Sequence, residues 1–461
     1  MSNPYAAGTV NNFADVPTMV RHRMVMLATV AAILLYLDRI CMSTVAFAVA
    51  EDLKIKPADL DNVLAAFFLT YALAQLPAGW LGDRFGARWT LGAYIVLWSL
   101  CTGLLGLANG LAAVLLLRLA CGLAQAGAYP VAASMVRRWI PLRRRGLASS
   151  VISVGGRLGG ALAPILTIQL MLWWTLGGDW WNAPDDAKAA VTSWRPVMIL
   201  YGAVGVVFAG VFVWRFRDWP QEHPAVNPAE LTLIGQGDLV PAATTGSREA
   251  PPIVPLMLSF SMWMNSFVQF ASNLGWAFLV TKMPQYLEEV YSTTQQGQGW
   301  MQSLPLAAGI VGLFLGGAFT DMLTQRFGLR WGRSIAMGLS RIFVAAALLA
   351  VMLMDSAIGA TLCLAVVGLA TDLGTPAVWA FGQDVGGRHV GSAVGWGNMW
   401  GNLGAALSPK LFGLIVGAAG TAALGWQYAF ATCAAINLIA AVAAIGVNAS
   451  KPLVAVRAIP N

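Results

Sequence analysis

The chain has 461 residues, 58% of them hydrophobic and 11% charged, with a formal net charge of +7. Soluble domains carry roughly 25% charged residues, so this chain has too few charges to cover a water-facing surface, and lipid must solvate most of it. The positive balance reads as basic loops along one membrane face and not as a nucleic-acid footprint. The five cysteines (Cys41, Cys101, Cys121, Cys363 and Cys433) sit in apolar runs without metal-ligand spacing.

The N-terminal tail, 1–23, is polar and then basic at Arg21 and Arg23. No small-residue cleavage site follows, so the first apolar run is expected to stay in the chain as a helix. Runs of about 20 apolar residues, enough to cross a bilayer, fall at 24–49, 60–81, 90–109, 112–136, 146–174 and 195–215. They define a first bundle over 24–215. Residues 216–254 are rich in Pro, Glu, Gln and Thr and read as a linker with room for one short amphipathic helix. A second bundle over 255–447 holds runs at 255–286, 298–323, 331–354, 357–382, 390–416 and 425–447, and 448–461 is a tail. The expected fold is an all-α integral membrane protein with twelve transmembrane helices in two six-helix bundles.

Loop charges orient these helices. Arg84 and Arg88 follow the second run, Arg137, Arg138, Arg143, Arg144 and Arg145 the fourth, Arg215 and Arg217 the sixth, Arg326, Arg330 and Arg333 the eighth, and Arg388 the tenth. The alternate loops carry Glu51, Asp52, Asp59, Asp61, Asp179, Asp185, Asp186, Glu288 and Glu289. By the positive-inside rule both termini and the linker lie in the cytoplasm, which places the chain in the cell (inner) membrane.

The second run closes on Gly79-Trp-Leu-Gly-Asp83-Arg84-Phe-Gly86-Ala-Arg88. The matching place in the second half holds Gly317-Ala-Phe-Thr-Asp321, followed by Arg326, Gly328, Arg330 and Arg333. This string resembles the signature loop of the major facilitator superfamily, whose halves are related as parallel repeats. Over nearly the whole chain, further segments resemble the anion:cation symporter family within it. They are Tyr36-Leu-Asp38-Arg39, Tyr71 with Gln75 to Trp80, Arg118 to Pro130, Trp276 to Tyr286, and Asn398 to Gly404 with Pro409. The resemblance implies a carrier of small organic anions, such as sugar acids, moved with protons or sodium. There is one departure. Where bacterial sugar-acid members carry a glutamate thought to bind the coupled proton, this chain has Gln125, which cannot titrate.

Ionisable groups inside a membrane are costly and are functional candidates by default. At 1.5 Å per residue, Asp38 and Arg118 come out at similar depth, and an ion pair between them is expected. That leaves Arg39 for a substrate carboxylate, held by two parallel hydrogen bonds; a structural cluster of all three charges is the alternative. Arg157, in Gly155-Gly156-Arg157-Leu158-Gly159-Gly160, either adds a second positive charge to a cavity or bonds exposed carbonyls. Arg341 and Asp372 form a possible pair, and Asp372 is the obvious carboxylate to replace the missing glutamate. Lys282, near a helix end, is expected to snorkel. Polar stripes hold Tyr36 and Arg39, then Tyr71 and Gln75, then Arg118, Gly122, Gln125 and Tyr129. In the second half they hold Gln269, Asn273 and Trp276, then Asp372, Pro376, Trp379 and Gln383, then Asn398 and Asn402. Such stripes line either a central cavity or small-residue helix contacts.

These features point to a secondary transporter of a small organic anion working by alternating access as a monomer. A non-transporting sensor on the same fold is the alternative, given Gln125. No nucleophile–histidine–acid set, metal cluster or cofactor motif is found, and the three histidines (His22, His223 and His389) fall outside the runs or at their edges.

Overall fold

The computed structural model describes residues 16–177, 193–235, 250–293 and 295–454. Asp179, Asp185 and Asp186 of the expected acidic loop lie outside the described residues, as do parts of both tails and of the linker. In chain order the helices are α1 (Val20–Asp52), α2 (Pro57–Phe85), α3 (Ala87–Leu105), α4 (Leu111–Gln125), α5 (Ala128–Trp139), α6 (Arg145–Leu176), α7 (Trp194–Arg215) and α8 (Pro228–Gly235). The second half continues with α9 (Ile253–Leu258), α10 (Phe260–Thr281), α11 (Met283–Tyr291), α12 (Gln295–Val351), α13 (Ala357–Val385), α14 (Val390–Ala418) and α15 (Ala422–Ile445). Helix is the expected answer to lipid, because each span must satisfy its own backbone hydrogen bonds.

Among the described residues, eight stretches are long and apolar enough to cross a membrane by length and composition alone. One of them, Trp300–Val351, is two crossings joined at Gly328, whose φ of 76° breaks α12. The α3, α10 and α14 helices complete the twelve; glycine, tryptophan and amide side chains dilute their apolar character. Span four is α4 and α5 in series. The break falls at Gly127, where a side chain would collide with the Tyr94 ring.

The two bundles repeat the same packing. In the first, α1 lies on α6, α2 on α4, and α3 on α7; in the second, α10 lies on α14, and the arms of α12 lie on α13 and on α15. Gly155 and Gly159 let α6 sit directly on the Thr29 and Ile33 backbone of α1, as Gly404 lets α14 sit on Phe270 of α10. The repeat reaches the loops. Arg84-Phe85-Gly86-Ala87-Arg88 matches Arg326-Phe327-Gly328-Leu329-Arg330, and Gly86 (φ 83°, ψ 157°) and Gly328 (φ 76°, ψ 177°) turn the chain almost identically. A side chain in this left-handed region is strained, which explains glycine at both positions.

Each bundle has two apolar layers. Trp98, Trp139 and Phe212 belong to one layer of the first bundle and Met42, Trp194 and Met198 to the other. In the second bundle, Phe278, Trp426 and Phe430 and then Met337, Phe381 and Trp396 do the same. Buried polar side chains lie among these layers, including Asp38, Arg39, Gln75, Arg118, Gln125, Arg341 and Asp372. Large apolar side chains such as Leu69, Leu73, Val207, Leu414 and Val442 are exposed, as lipid-facing positions should be.

Candidate functional site

The first-bundle wall of the site is built around Arg39. Its Nε donates to Gln125 Oε1 at 3.1 Å, and Gln125 Nε2 donates to the Leu35 carbonyl at 3.3 Å. The guanidinium carbon lies 4.3 Å from the Tyr71 ring centroid, 4.7 Å from Tyr36 and 5.3 Å from Phe67. Aromatic faces attract a cation without consuming its N–H donors. Arg39 Nη2 is buried and has no hydrogen-bond partner among the described residues.

The expected Asp38–Arg118 ion pair is absent among the described residues. Asp38 Oδ2, Arg118 Nε and Arg118 Nη1 are all buried without partners. The reason is direction. Asp38 turns toward α7, 3.9 Å from where a Gly205 side chain would begin, while the Arg118 guanidinium lies 4.5 Å from the Phe67 ring on α2. Equal depth does not bring the two groups to one face.

Arg341 and Asp372 make no direct ion pair among the described residues, though they are close enough to act on each other electrostatically. Asp372 bridges the two bundles instead, accepting hydrogen bonds from Arg157 Nη2 on both carboxylate oxygens at 2.9 Å. Among the described residues Arg157 bonds no carbonyl, and its guanidinium lies 5.0 Å from the Trp276 ring. Arg341 Nη2 donates to Ser340 Oγ at 2.7 Å and to the Thr371 carbonyl at 3.0 Å, and its Nη1 reaches Asn437 Oδ1 at 3.4 Å. At 1.5 Å per residue, Arg157 stands ~18 Å along α6 from Arg145, and Asp372 ~20 Å along α13 from Val385. Both are therefore mid-membrane.

The other candidates fall in several places. Tyr129 packs edge-on against Trp379 across the bundles at 4.7 Å and against Tyr36 at 6.3 Å. The Asn273 amide abuts Gly401 of α14. Asn402 Nδ2 donates to the Asn398 carbonyl of its own helix at 2.8 Å, so that donor is spent within α14. Lys282 is half-buried and donates to Gln285 Oε1 at 2.9 Å.

The loop motifs close the end of the molecule that carries the basic loops. Asp83 accepts from Gly391 N (2.7 Å), Ser392 N (2.8 Å), Ser392 Oγ (2.8 Å) and Ser134 Oγ (3.1 Å). It therefore caps the N-terminus of α14 in the opposite bundle, where a negative charge is favoured. Asp321 does the same for α6, accepting from Gly146 N and Leu147 N at 3.0 Å. Gly79 and Gly391 allow the α2 and α14 backbones to meet directly. The loop arginines are half-buried: Arg84 lies near the Trp80 and Phe85 rings, and Arg88 Nε donates to the Val213 carbonyl at 2.8 Å.

Sequence reasoning missed Asp384. It joins Arg145 (3.1 Å) of the first bundle to Arg333 (2.9 Å) of the second, all three being buried. Gln383 beside it donates to Ser149 Oγ at 2.9 Å, and Arg137 Nη1 donates to the Gln383 carbonyl at 2.6 Å. A lone carboxylate at the basic end of a span was the available signal.

Comparison with known proteins agrees with this architecture. A family model described as the Major Facilitator Superfamily matches residues 28–409. The probable sulfoacetate transporter SauU of Cupriavidus necator is 28% identical over 437 residues, covering 93% of this chain and 94% of that protein. The probable galactarate/D-glucarate transporter GudP of Bacillus subtilis is 28% identical over 422 residues, covering 88% and 87%. Among solved structures, the human organic anion transporter MFSD10 (TETRAN) superposes with a TM-score of 0.65 at 16% identity, covering 92% of this chain and 99% of that one.

Proposed function

The chain belongs to the Major Facilitator Superfamily, and we propose that it is a secondary transporter of a small organic anion, a sugar acid or another short hydroxycarboxylate or sulfonate. The observation that carries this reading is Arg39: a buried guanidinium held by Gln125 and three aromatic rings, with Nη2 left unpartnered. A guanidinium so placed presents parallel N–H donors to a carboxylate. Relatives described as carrying sulfoacetate and galactarate or glucarate support the same chemistry. Tyr36, Tyr71, Asn398 and Asn402 would meet hydroxyls, with Trp276 and Trp379 along the carbon chain.

In this reading the basic end faces the cytoplasm of a cell membrane, the sealed contacts of Asp83 and Asp321 form the inner gate, and residues 216–254 link the bundles on that side. The transporter works as a monomer. Gln125 stays neutral, so proton or sodium coupling runs through another group, and Asp372, mid-membrane and bound to Arg157, is the carboxylate we assign to it. Gln125 also favours a second reading, an exchanger or a non-transporting sensor of the same anions.

Reconstitution in liposomes tests the proposal, with a panel of organic anions under imposed pH, sodium and voltage gradients. Saturable uptake is expected, with Arg39→Lys weakening apparent affinity about tenfold or more because an ammonium loses the bidentate fork. Exchange without net uptake would favour the second reading. An absence of both fluxes for every anion, or unchanged affinity in Arg39→Lys, would sink the first.

A further inference from the structure

We propose that the transported anion carries two acidic groups, and that Arg157 holds the second while Arg39 holds the first. This rests on the organic-anion reading and narrows it to dianions.

The first ground is charge. Away from their ends, and setting aside the exposed Lys410, the described membrane helices hold four arginines (Arg39, Arg118, Arg157 and Arg341) and two aspartates (Asp38 and Asp372). Four minus two leaves two positive charges in a low-dielectric interior, where an uncompensated ion costs several kcal/mol. A monoanion would leave one of them standing. A dianion brings the interior to neutrality.

The second ground is geometry. Of these arginines, Arg118 and Arg341 are 1% exposed, and Arg341 is spent on Ser340, Thr371 and Asn437. The Arg157 side chain is 20% exposed, the most open of the four. It holds Asp372 through Nη2 alone, so the N–H groups on Nε and Nη1 are not used by that bridge. Arg39 and Arg157 border the same aromatic pair. The Arg39 guanidinium lies 4.7 Å from the Tyr36 ring, while Gly156, next to Arg157, abuts both Tyr36 and the Tyr129 hydroxyl. Two cations that border one aromatic pair suit two acidic groups on one small molecule. Asp372 holds Arg157 from the second bundle, so a ligand on Arg157 is linked to that bundle through this bridge.

The test is binding of matched pairs that differ by one charge. D-Glucarate with D-gluconate, malonate with 3-hydroxypropionate, and sulfoacetate with isethionate are titrated against the purified full chain and checked by counterflow in liposomes. At least one dianion should bind tenfold or more tighter than its monoanion. Arg157→Gln should bring that dianion to the level of its monoanion while moving the monoanion less than threefold, and Arg157→Lys should restore part of the preference. Arg39→Gln should weaken both members. Equal or tighter binding of the monoanions, or equal weakening of both members by Arg157→Gln in a protein that still unfolds cooperatively, overturns the two-charge proposal and leaves the organic-anion reading standing. Binding of none of the six overturns both.

Discussion

Replacing Asp83 by Asn should unseal the basic end. Asp83 Oδ1 accepts from Gly391 N and Ser134 Oγ, and Oδ2 accepts from Ser392 N and Ser392 Oγ. Asparagine keeps one acceptor oxygen and turns an NH2 group toward donors in place of the other. Two charge-assisted hydrogen bonds are therefore lost, each worth about 1.5–3 kcal/mol, together with the attraction of a carboxylate for the α14 N-terminus. Asp83 is only half-buried, so the lower end of that range applies and the total is about 3 kcal/mol. A tenfold change in an equilibrium needs about 1.4 kcal/mol, so the closed-to-open ratio should fall by about two orders of magnitude.

The assay is the distance between spin labels at Arg143 and Gln325, two exposed positions on opposite bundles at this end. Labels are placed in a variant whose five native cysteines are replaced. A longer-distance population should emerge in Asp83→Asn and in Asp321→Asn, and should dominate when the two are combined, because each carboxylate caps a different helix. Unchanged distance distributions in all three folded variants would refute the reasoning, since the end would then be held shut by packing such as the Gly79–Gly391 contact.

Asp384→Ala removes the carboxylate shared by buried Arg145 and Arg333, leaving Asp321 at 3.7 Å as the counter-charge near Arg333; this should cost about 3 kcal/mol and lower the thermal midpoint in detergent by several degrees, and an unchanged midpoint would mean the pairs contribute nothing net. Asp372→Asn should abolish proton-driven accumulation while sparing exchange, and unimpaired accumulation would remove Asp372 from coupling. Glu230 ties α8 to the start of α1, accepting from Arg21 Nη1 at 2.8 Å, Arg21 N at 3.1 Å and the Thr18 hydroxyl. Burial alone would raise its carboxyl, but these hydrogen bonds and the Arg21 charge outweigh burial and set it below its ordinary value of 4.5. A lowered carboxyl stabilises the attachment above its unfolded range and loses it as pH falls through the folded value. Amide protection at Val20 and Arg21, corrected for intrinsic exchange, should be flat from about pH 6 to 8 and drop below about pH 4.5.

The spans and the repeat were legible because lipid imposes them: apolar runs mark crossings, and the Arg-Phe-Gly string marks the same turn twice. Asp83 and Asp321 were legible for that reason. The Asp38–Arg118 and Arg341–Asp372 pairings failed because they were argued from height along the helix axis. Height leaves azimuth free, and successive helical residues point about 100° apart. Asp38 and Arg39, one residue apart, accordingly serve different faces: one turns toward α7, the other toward Gln125 and Tyr71. Azimuth was nonetheless present in one motif. Gly155 and Gly159 form the stripe that lies on α1, and Arg157, two residues from each, points about 200° away from them by the same spacing. A glycine stripe that fixes which face of α6 meets its own bundle therefore sends Arg157 toward the other one. There Asp372 is the mid-membrane carboxylate at matching height. Height and stripe together select the bridge that height alone assigned to Arg341.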